Sequence, residues 1–198
     1  MFSDLALPGA SLRIDLQWLP AGRADALLRE LTQTLDWQVH CIRLFGRLVA
    51  SPRRSCWIGD SEAVYRYSGM RFTPRPWTPA LSLLREEVGA AAGVRFNSVL
   101  VNLYRDGDDA MGWHSDDEPE LGPEPLIASL SLGGERRFVL KHRRRPENRL
   151  VLLLKHGSLL LMSGETQRNY RHALPRTRKP VAPRINLTFR SISPKHPV

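Results

Sequence analysis

The sequence predicts an α+β fold, mainly β, in which an antiparallel double-sheet β domain carries helices packed on its outside. Three observations support this. From Phe96 onward six short runs (FNSVLVNLY, LIASLSLG, RFVLKH, RLVLLL, GSLLLM and RINLTFR) are separated by Gly, Pro, Asn and charged turns. Earlier, Leu27, Leu28, Leu31 and Leu35 recur at helical spacing, which predicts an amphipathic helix over about 22–35. A second helix is expected to start at Thr78 as N-cap with Pro79 in first position, carry Leu81, Leu84 and Val88 inward, and stop near Gly93. The stretch from Arg43 to Pro79 mixes aromatics, arginines and prolines and reads as short strands and loops.

A chain of 198 residues suits one domain able to bury a real core, with no linker or repeat dividing it. Lys and Arg number 29 against 20 Asp and Glu, a net charge of +9, and the sequence pI is near 10.4. Such a surface favours polyanions, nucleic acid or an anionic membrane, unless the protein is merely basic. Cys41 and Cys56 fit neither a disulfide framework nor a C-x-x-C motif, so reduced thiols and a cytoplasmic setting are expected. The first residues, MFSDLALPGASLRID, lack the basic start and apolar core of a signal peptide. The most apolar stretch, LVLLLKHGSLLLM, is broken by Lys155 and His156, so no membrane span is expected.

Strand periodicity sorts the polar residues. In the last run Arg184, Asn186, Thr188 and Arg190 share one face, while Ile185, Leu187 and Phe189 share the other. The apolar face packs, and a polar face with two arginines suits a cavity holding an anion. Asn102 and Tyr104 share a face in their own run. For either strand a solvent-exposed polar face is the competing reading.

After Tyr104 a Gly/Asp-rich turn leads into G-W-H-S-D-D-E, Gly112 to Glu118. An acidic surface turn is the commoner meaning of such a cluster. However, His114 and Asp116 are two apart, so in extended backbone both can aim at one centre. Two imidazoles and one carboxylate on one side of an octahedron make the facial triad of non-haem Fe(II) oxygenases. The second imidazole has four candidates, His142, His156, His172 and His196, of which His172 lies just before the Arg/Asn/Thr/Arg strand.

With these pieces assembled, the chain resembles the AlkB family of Fe(II)/2-oxoglutarate dioxygenases, and within it the vertebrate-type duplex-DNA dealkylases. The matching pieces are N-L-Y at 102–104, H-S-D-D-E at 114–118, a histidine at 172 and R-I-N-L-T-F-R at 184–190. L-F-G-R at 44–47, Y-R-Y-S-G at 65–69 and P-R-P-W-T-P at 74–79 also match. H-x-D alone is a weak signal; with a distal histidine and R-x-N-x-T-x-R in order it is strong. One position departs from the family pattern: an aromatic usually stands directly before the distal histidine, and here Tyr170 is followed by Arg171.

The resemblance implies a double-stranded β-helix (jelly-roll) core over about 96–192. It implies an N-terminal extension over about 1–95 with helices and a nucleotide-recognition lid, the whole forming one catalytic domain, 1–198. It implies His114, Asp116 and His172 as iron ligands. Asn102, Tyr104, Arg184, Asn186, Thr188 and Arg190 would hold 2-oxoglutarate, with dioxygen as the other co-substrate. Six residues of strand span about 20 Å, so the two arginines cannot grip one carboxylate. Arg184, with Tyr104, would take the distal carboxylate, and Arg190 would act nearer the metal.

Substrate residues follow in the same way. Tyr67 would stack on a flipped base opposite His114, and Tyr65 would hydrogen-bond at the pocket's edge. Asp117 and Glu118 would meet a cationic base such as 1-methyladenine or 3-methylcytosine. Ordinary strand packing is the competing reading of the two tyrosines. In R-L-F-G-R, Arg43 to Arg47, Phe45 sits beside Gly46 and between arginines, so a tight turn would project it as a wedge into the gap left by a flipped base. Arg47, Arg53 and Arg54, and the basic turn Arg143 to Arg145, would touch phosphates.

The expected function is therefore oxidative demethylation of alkylated DNA, a duplex by preference, releasing formaldehyde, by a monomer with no membrane association. The expected compartment is the cytoplasm, or the nucleus if the source is eukaryotic. The competing readings are the same chemistry on RNA, single-stranded DNA, protein or lipid, and a nucleic-acid-binding module without turnover.

Overall fold

Alternation of apolar and polar residues along short β-rich runs sets this architecture, two facing sheets of which one packs its outer face against helices. A computed structural model of the chain describes residues 1–39, 41–44, 47–63, 65–67 and 70–193, with the backbone alone at 41–44, 47–48, 65–67 and 70–72. In chain order the strands are β1 (Ser3–Asp4), β2 (Ser11–Asp15), β3 (Cys41–Leu44), β4 (Arg47–Ala50), β5 (Arg54–Gly59), β6 (Tyr65–Tyr67) and β7 (Met70–Phe72). There follow β8 (Ser98–Tyr104), β9 (Met111–His114), β10 (Ile127–Gly133), β11 (Arg136–His142) and β12 (Arg149–Leu154). The last three are β13 (Leu159–Ser163), β14 (Tyr170–Leu174) and β15 (Arg184–Arg190). Helices α1 (Ala21–Thr34) and α2 (Pro79–Ala92) precede β8, and the one-turn α3 (Thr166–Asn169) precedes β14.

Seven strands form the larger sheet in the order β1-β2-β13-β10-β15-β8-β5, and four form the smaller one, β12-β11-β14-β9. Every pairing between named strands is antiparallel, and β3–β4 and β6–β7 are separate two-stranded pairs. The larger sheet takes β1, β2 and β5 from the first 95 residues, pairing β2 with β13 and β5 with β8. This is the jelly-roll arrangement expected from the sequence, and both long helices lie within a residue or two of their expected bounds.

The core divides into two layers. On the outside of the larger sheet, Ile185, Leu187 and Phe189 of β15 pack with Ala24 and Leu31 of α1 and with Leu81, Leu84 and Val88 of α2. Each fully buried aliphatic or Phe side chain contributes roughly 1.5–3 kcal/mol, so this layer fixes where β15 lies. Between the sheets, Ile127, Met162, Phe138, Leu140 and Tyr170 form a second cluster. The caps of α2 follow the sequence. Thr78 Oγ1 accepts from Leu81 N at 3.3 Å, and Gly93 ends the helix in the left-handed region at φ 77°.

Candidate metal and co-substrate site

The space between the sheets is where the polar faces meet. On β15, the face opposite Ile185, Leu187 and Phe189 turns inward. Cross-strand register sets Arg184 opposite Tyr104 and Asn186 opposite Asn102 on β8, and Ser131 and Ser129 of β10 opposite Asn186 and Thr188. From the smaller sheet, His114 on β9 and His172 on β14 are directly paired, with ring centroids 4.2 Å apart. His114, Asp116, His172, Asn102, Tyr104, Arg184, Asn186, Thr188 and Arg190 line one cavity, together with Leu100, Met111, Ser129, Phe138, Met162 and Leu174.

Three of these side chains offer ligand atoms within 4.8 Å of one another: His114, Asp116 and His172. The His114 ring places Nδ1 2.8 Å from Gly112 O, which leaves Nε2 on the Asp116 side, 3.9 Å from Oδ1. Asp116 is fixed from both ends. Its N–H donates to Gln167 Oε1 at 3.0 Å, and Arg190 Nη2 donates to its Oδ2 at 2.9 Å. Its neighbour Ser115 donates through Oγ to Tyr170 O at 2.7 Å. Burial works against ionising Asp116, but the Arg190 guanidinium and the two imidazoles outweigh it and hold its carboxyl at about 2. Burial, with His114 alongside, pushes His172 down to about 3, and burial also lowers His114. Two neutral imidazoles and one carboxylate are thus ready at neutral pH without losing a proton. That donor set fits a divalent first-row metal with open positions.

At the other end of the cavity Arg184 is fully buried. Its Nη2 donates to Ser131 Oγ at 2.9 Å, and its guanidinium lies 5.4 Å from the Tyr104 ring centroid. Nε and Nη1 are buried with no hydrogen-bond partner among the described residues. Burial lowers its pKa to about 10, leaving it a cation. A buried guanidinium with two unpartnered nitrogens is costly unless an anion fills the space. The site therefore fits a carboxylate here and a metal at the triad.

The remaining polar residues are less free. Asn186 Nδ2 donates to Ser129 Oγ at 2.9 Å and to Leu130 O at 3.0 Å. Thr188 Oγ1 donates to Asn186 Oδ1 at 3.2 Å. Asn102 Oδ1 accepts from Arg53 Nε at 2.9 Å, so Arg53 is tied to the cavity wall. Asp117 is half-exposed and ion-paired with Arg143, outside the cavity lining, and Glu118 is half-buried outside it as well. Phe45 and Gly46 lie outside the described residues, as does His196. Of Arg47, Tyr65 and Tyr67 only the backbone is described, in β4 and β6. His142 and His156 stand apart from the triad: His142 packs edge-on to Tyr170, and His156 accepts from Gly133 N at 2.7 Å.

Sequence reading missed Arg136 and Gln167. Arg136 is buried and donates to three carbonyls, Asp106 O at 2.8 Å and Asp109 O and Pro175 O at 2.9 Å. It so joins the β8–β9 turn to the end of β14. Its place beside Arg137 in a strand gave one signal, since alternation buries one of the pair. Nothing in the sequence around Gln167 pointed to Asp116.

The family model of the 2OG-Fe(II) oxygenase superfamily matches residues 12–190. Mouse DNA oxidative demethylase ALKBH2 is 41% identical over 181 residues, covering 86% of this chain and 76% of that protein. The chain belongs to the AlkB family of 2OG-Fe(II) oxygenases. Human alpha-ketoglutarate-dependent dioxygenase alkB homolog 3 is 39% identical over 180 residues, 86% of this chain and 62% of that one. The solved structure of OsALKBH1 shares the fold, with a TM-score of 0.64 at 16% identity over 96% of this chain and 100% of that one. As an AlkB-family member the protein is a dioxygenase using iron(II), 2-oxoglutarate and dioxygen, which sets aside a binding module without turnover. Among the described residues no helix is long and apolar enough to cross a membrane.

Proposed function

We propose that this AlkB-family dioxygenase, a single catalytic domain, repairs alkylated DNA by removing the N-methyl group of 1-methyladenine or 3-methylcytosine, with a duplex as its preferred substrate. The observation that carries this reading is the 41% identity, over 86% of the chain, to a protein named a DNA oxidative demethylase. The net charge of +9 supports a polyanionic substrate.

His114, Asp116 and His172 would hold the iron. The bound iron, with dioxygen and 2-oxoglutarate, supplies the oxidising power, forming succinate and CO2 as the N-methyl group is hydroxylated. The hydroxymethyl product then loses formaldehyde and a proton, which leaves the ring nitrogen unsubstituted and the base neutral. The chain's own residues position the reactants. Arg184 would offer Nε and Nη1 to the distal carboxylate of 2-oxoglutarate, with Tyr104 beneath. Arg190 donates to Asp116 Oδ2, which would leave Oδ1 free to hold the metal. Asn102, Asn186 and Thr188 would complete the co-substrate wall, where Arg53 on Asn102 links that wall to the substrate side. Asp117 would exchange Arg143 for the cationic base, with Glu118 beside it. Tyr65 and Tyr67 would hold the base, and Phe45, with Gly46 and Arg47, would fill its place in the stack.

The working unit is taken to be a monomer, because one chain supplies every residue of the triad and the co-substrate wall. Its place is with the DNA, in the cytoplasm of a bacterial cell or the nucleus of a eukaryotic one. The test compares one lesion in two settings. Opening a duplex stack costs a few kcal/mol that a single strand mostly avoids. Phe45→Ala is therefore expected to slow repair of a methylated duplex far more than of the same methylated strand alone. Equal loss on both, together with a lower melting temperature, would make Phe45 a packing residue and remove the preference for a duplex.

A further inference from the structure

We propose that the outer face of the four-stranded sheet is a second contact surface for the phosphate backbone, used by nucleic acid that runs beyond the lesion. This rests on the DNA-repair reading above. Along β11, Phe138 and Leu140 point to the interior while Arg137 and Lys141 are exposed on the opposite face. Lys141 is registered opposite Arg149 of β12 on one side and opposite Arg171 of β14 on the other. Both arginines are exposed. Adjacent strands lie about 4.8 Å apart, so the three cations stand abreast in a row roughly 10 Å long. Among the described residues none of Arg137, Lys141, Arg149 and Arg171 forms an ion pair.

Like charges directly opposite on a sheet destabilise it, so such a row calls for an external anion. A duplex, with one negative charge per roughly 1.7 Å of axis, supplies several at that spacing. The exposed Val151 and Leu153 beside the row would also suit an anionic lipid surface. Continuity with the cavity decides for nucleic acid. The turn from β11 to β12 carries Arg143, whose Nη2 reaches Ser115 Oγ at 2.8 Å, beside Asp116. A polymer with one base at the triad can thus follow a basic track over this turn onto the row. Arg171 is also the position where the chain departs from the family's aromatic. Because that side chain faces outward, the change leaves the packing of His172 intact and adds a charge to the row.

The test uses the full chain with Lys141→Gln, Arg149→Gln and Arg171→Gln combined. Its control combines Arg23→Gln, Arg29→Gln and Arg95→Gln, exposed on α1 and in the loop after α2, for the same change in net charge. Affinity for an unmethylated 30-base-pair duplex is measured across a salt series, and turnover on a methylated five-nucleotide strand is measured alongside. Each lost phosphate contact lowers the salt slope by about 0.9. The row variant is expected to lose about two units of slope and at least tenfold in affinity at low salt, while keeping short-strand turnover and a melting temperature at or above the parent's. An unchanged slope, or a loss no greater than the control's, would overturn the proposal. So would weakened binding to phosphatidylserine vesicles with duplex binding intact. A parent that binds duplex through the row yet demethylates neither substrate would sink the repair reading and leave the surface standing.

Discussion

Arg184 carries a positive charge into a fully buried place and leaves two of its nitrogens without a partner among the described residues. Without an anion that arrangement costs stability; with 2-oxoglutarate bound there, as proposed, it would become a charge-assisted grip worth about 1.5–3 kcal/mol. Arg184→Met is therefore expected to raise the melting temperature of the co-substrate-free protein and to raise KM for 2-oxoglutarate by roughly 10- to 100-fold. Thermal melts with and without 2-oxoglutarate check this, since the parent should be stabilised by the ligand and the variant should not. At the other end of the cavity, His114→Ala, Asp116→Ala and His172→Ala are each expected to abolish turnover and leave a folded protein by circular dichroism. A His172→Ala variant that kept iron-dependent activity would contradict the assignment. The polar stripe of β15 was legible because a period of two sorts its residues without any knowledge of neighbours. The links of Gln167 to Asp116 and of Arg53 to Asn102 were not legible, because they join residues 51 and 49 positions apart across loops.

Strands and helices were read from local pattern, and six β-rich runs after Phe96 became β8, β10, β11, β12, β13 and β15. The pairing of β2 with β13 was not readable, since SLRID is short and its partner lies far along the chain. Neither was the turn after β8, which is held by charges rather than by apolar periodicity. There Arg105 donates to both oxygens of Asp109, at 2.8 and 2.7 Å, and Arg136 takes the carbonyls of Asp106 and Asp109. Removing Arg136 leaves three carbonyls short of a donor, that of Asp109 in a buried bond and those of Asp106 and Pro175 in part-buried ones. Arg136→Met is expected to cost about 3–5 kcal/mol in urea unfolding and to weaken iron binding, because the turn positions β9 and hence His114. Burial opposes ionisation of Asp109, but the Arg105 contacts outweigh it and lower its pKa. Its contribution is therefore present above the ordinary aspartate value near 3.9 and is lost as pH falls through the lower folded value. Asp109→Asn should lower the melting temperature at pH 7, and the gap to the parent should close in melts below about pH 4.

At the scale of the whole molecule, two sheets of different origin divide the chemistry. The larger one, its outer face packed on α1 and α2, supplies a buried cation for an acid. The smaller one supplies the paired imidazoles, and its outer face is basic. The excess of positive charge was visible in composition, but only the register of β11 with β12 and β14 shows where part of it is concentrated. In the function proposed above, the triad and Arg184 would together hold iron and 2-oxoglutarate for oxidation of a methyl group on a nucleic-acid base. The most direct measurement is mass spectrometry of a methylated duplex after incubation with iron(II), ascorbate and 2-oxoglutarate, with succinate and formaldehyde measured in the same reaction. The expected result is loss of the methyl group with formaldehyde matching the base repaired, abolished by omitting iron or 2-oxoglutarate and by Asp116→Ala. Succinate formed at the full rate while 1-methyladenine and 3-methylcytosine stay intact, in duplex and single strand alike, would contradict it.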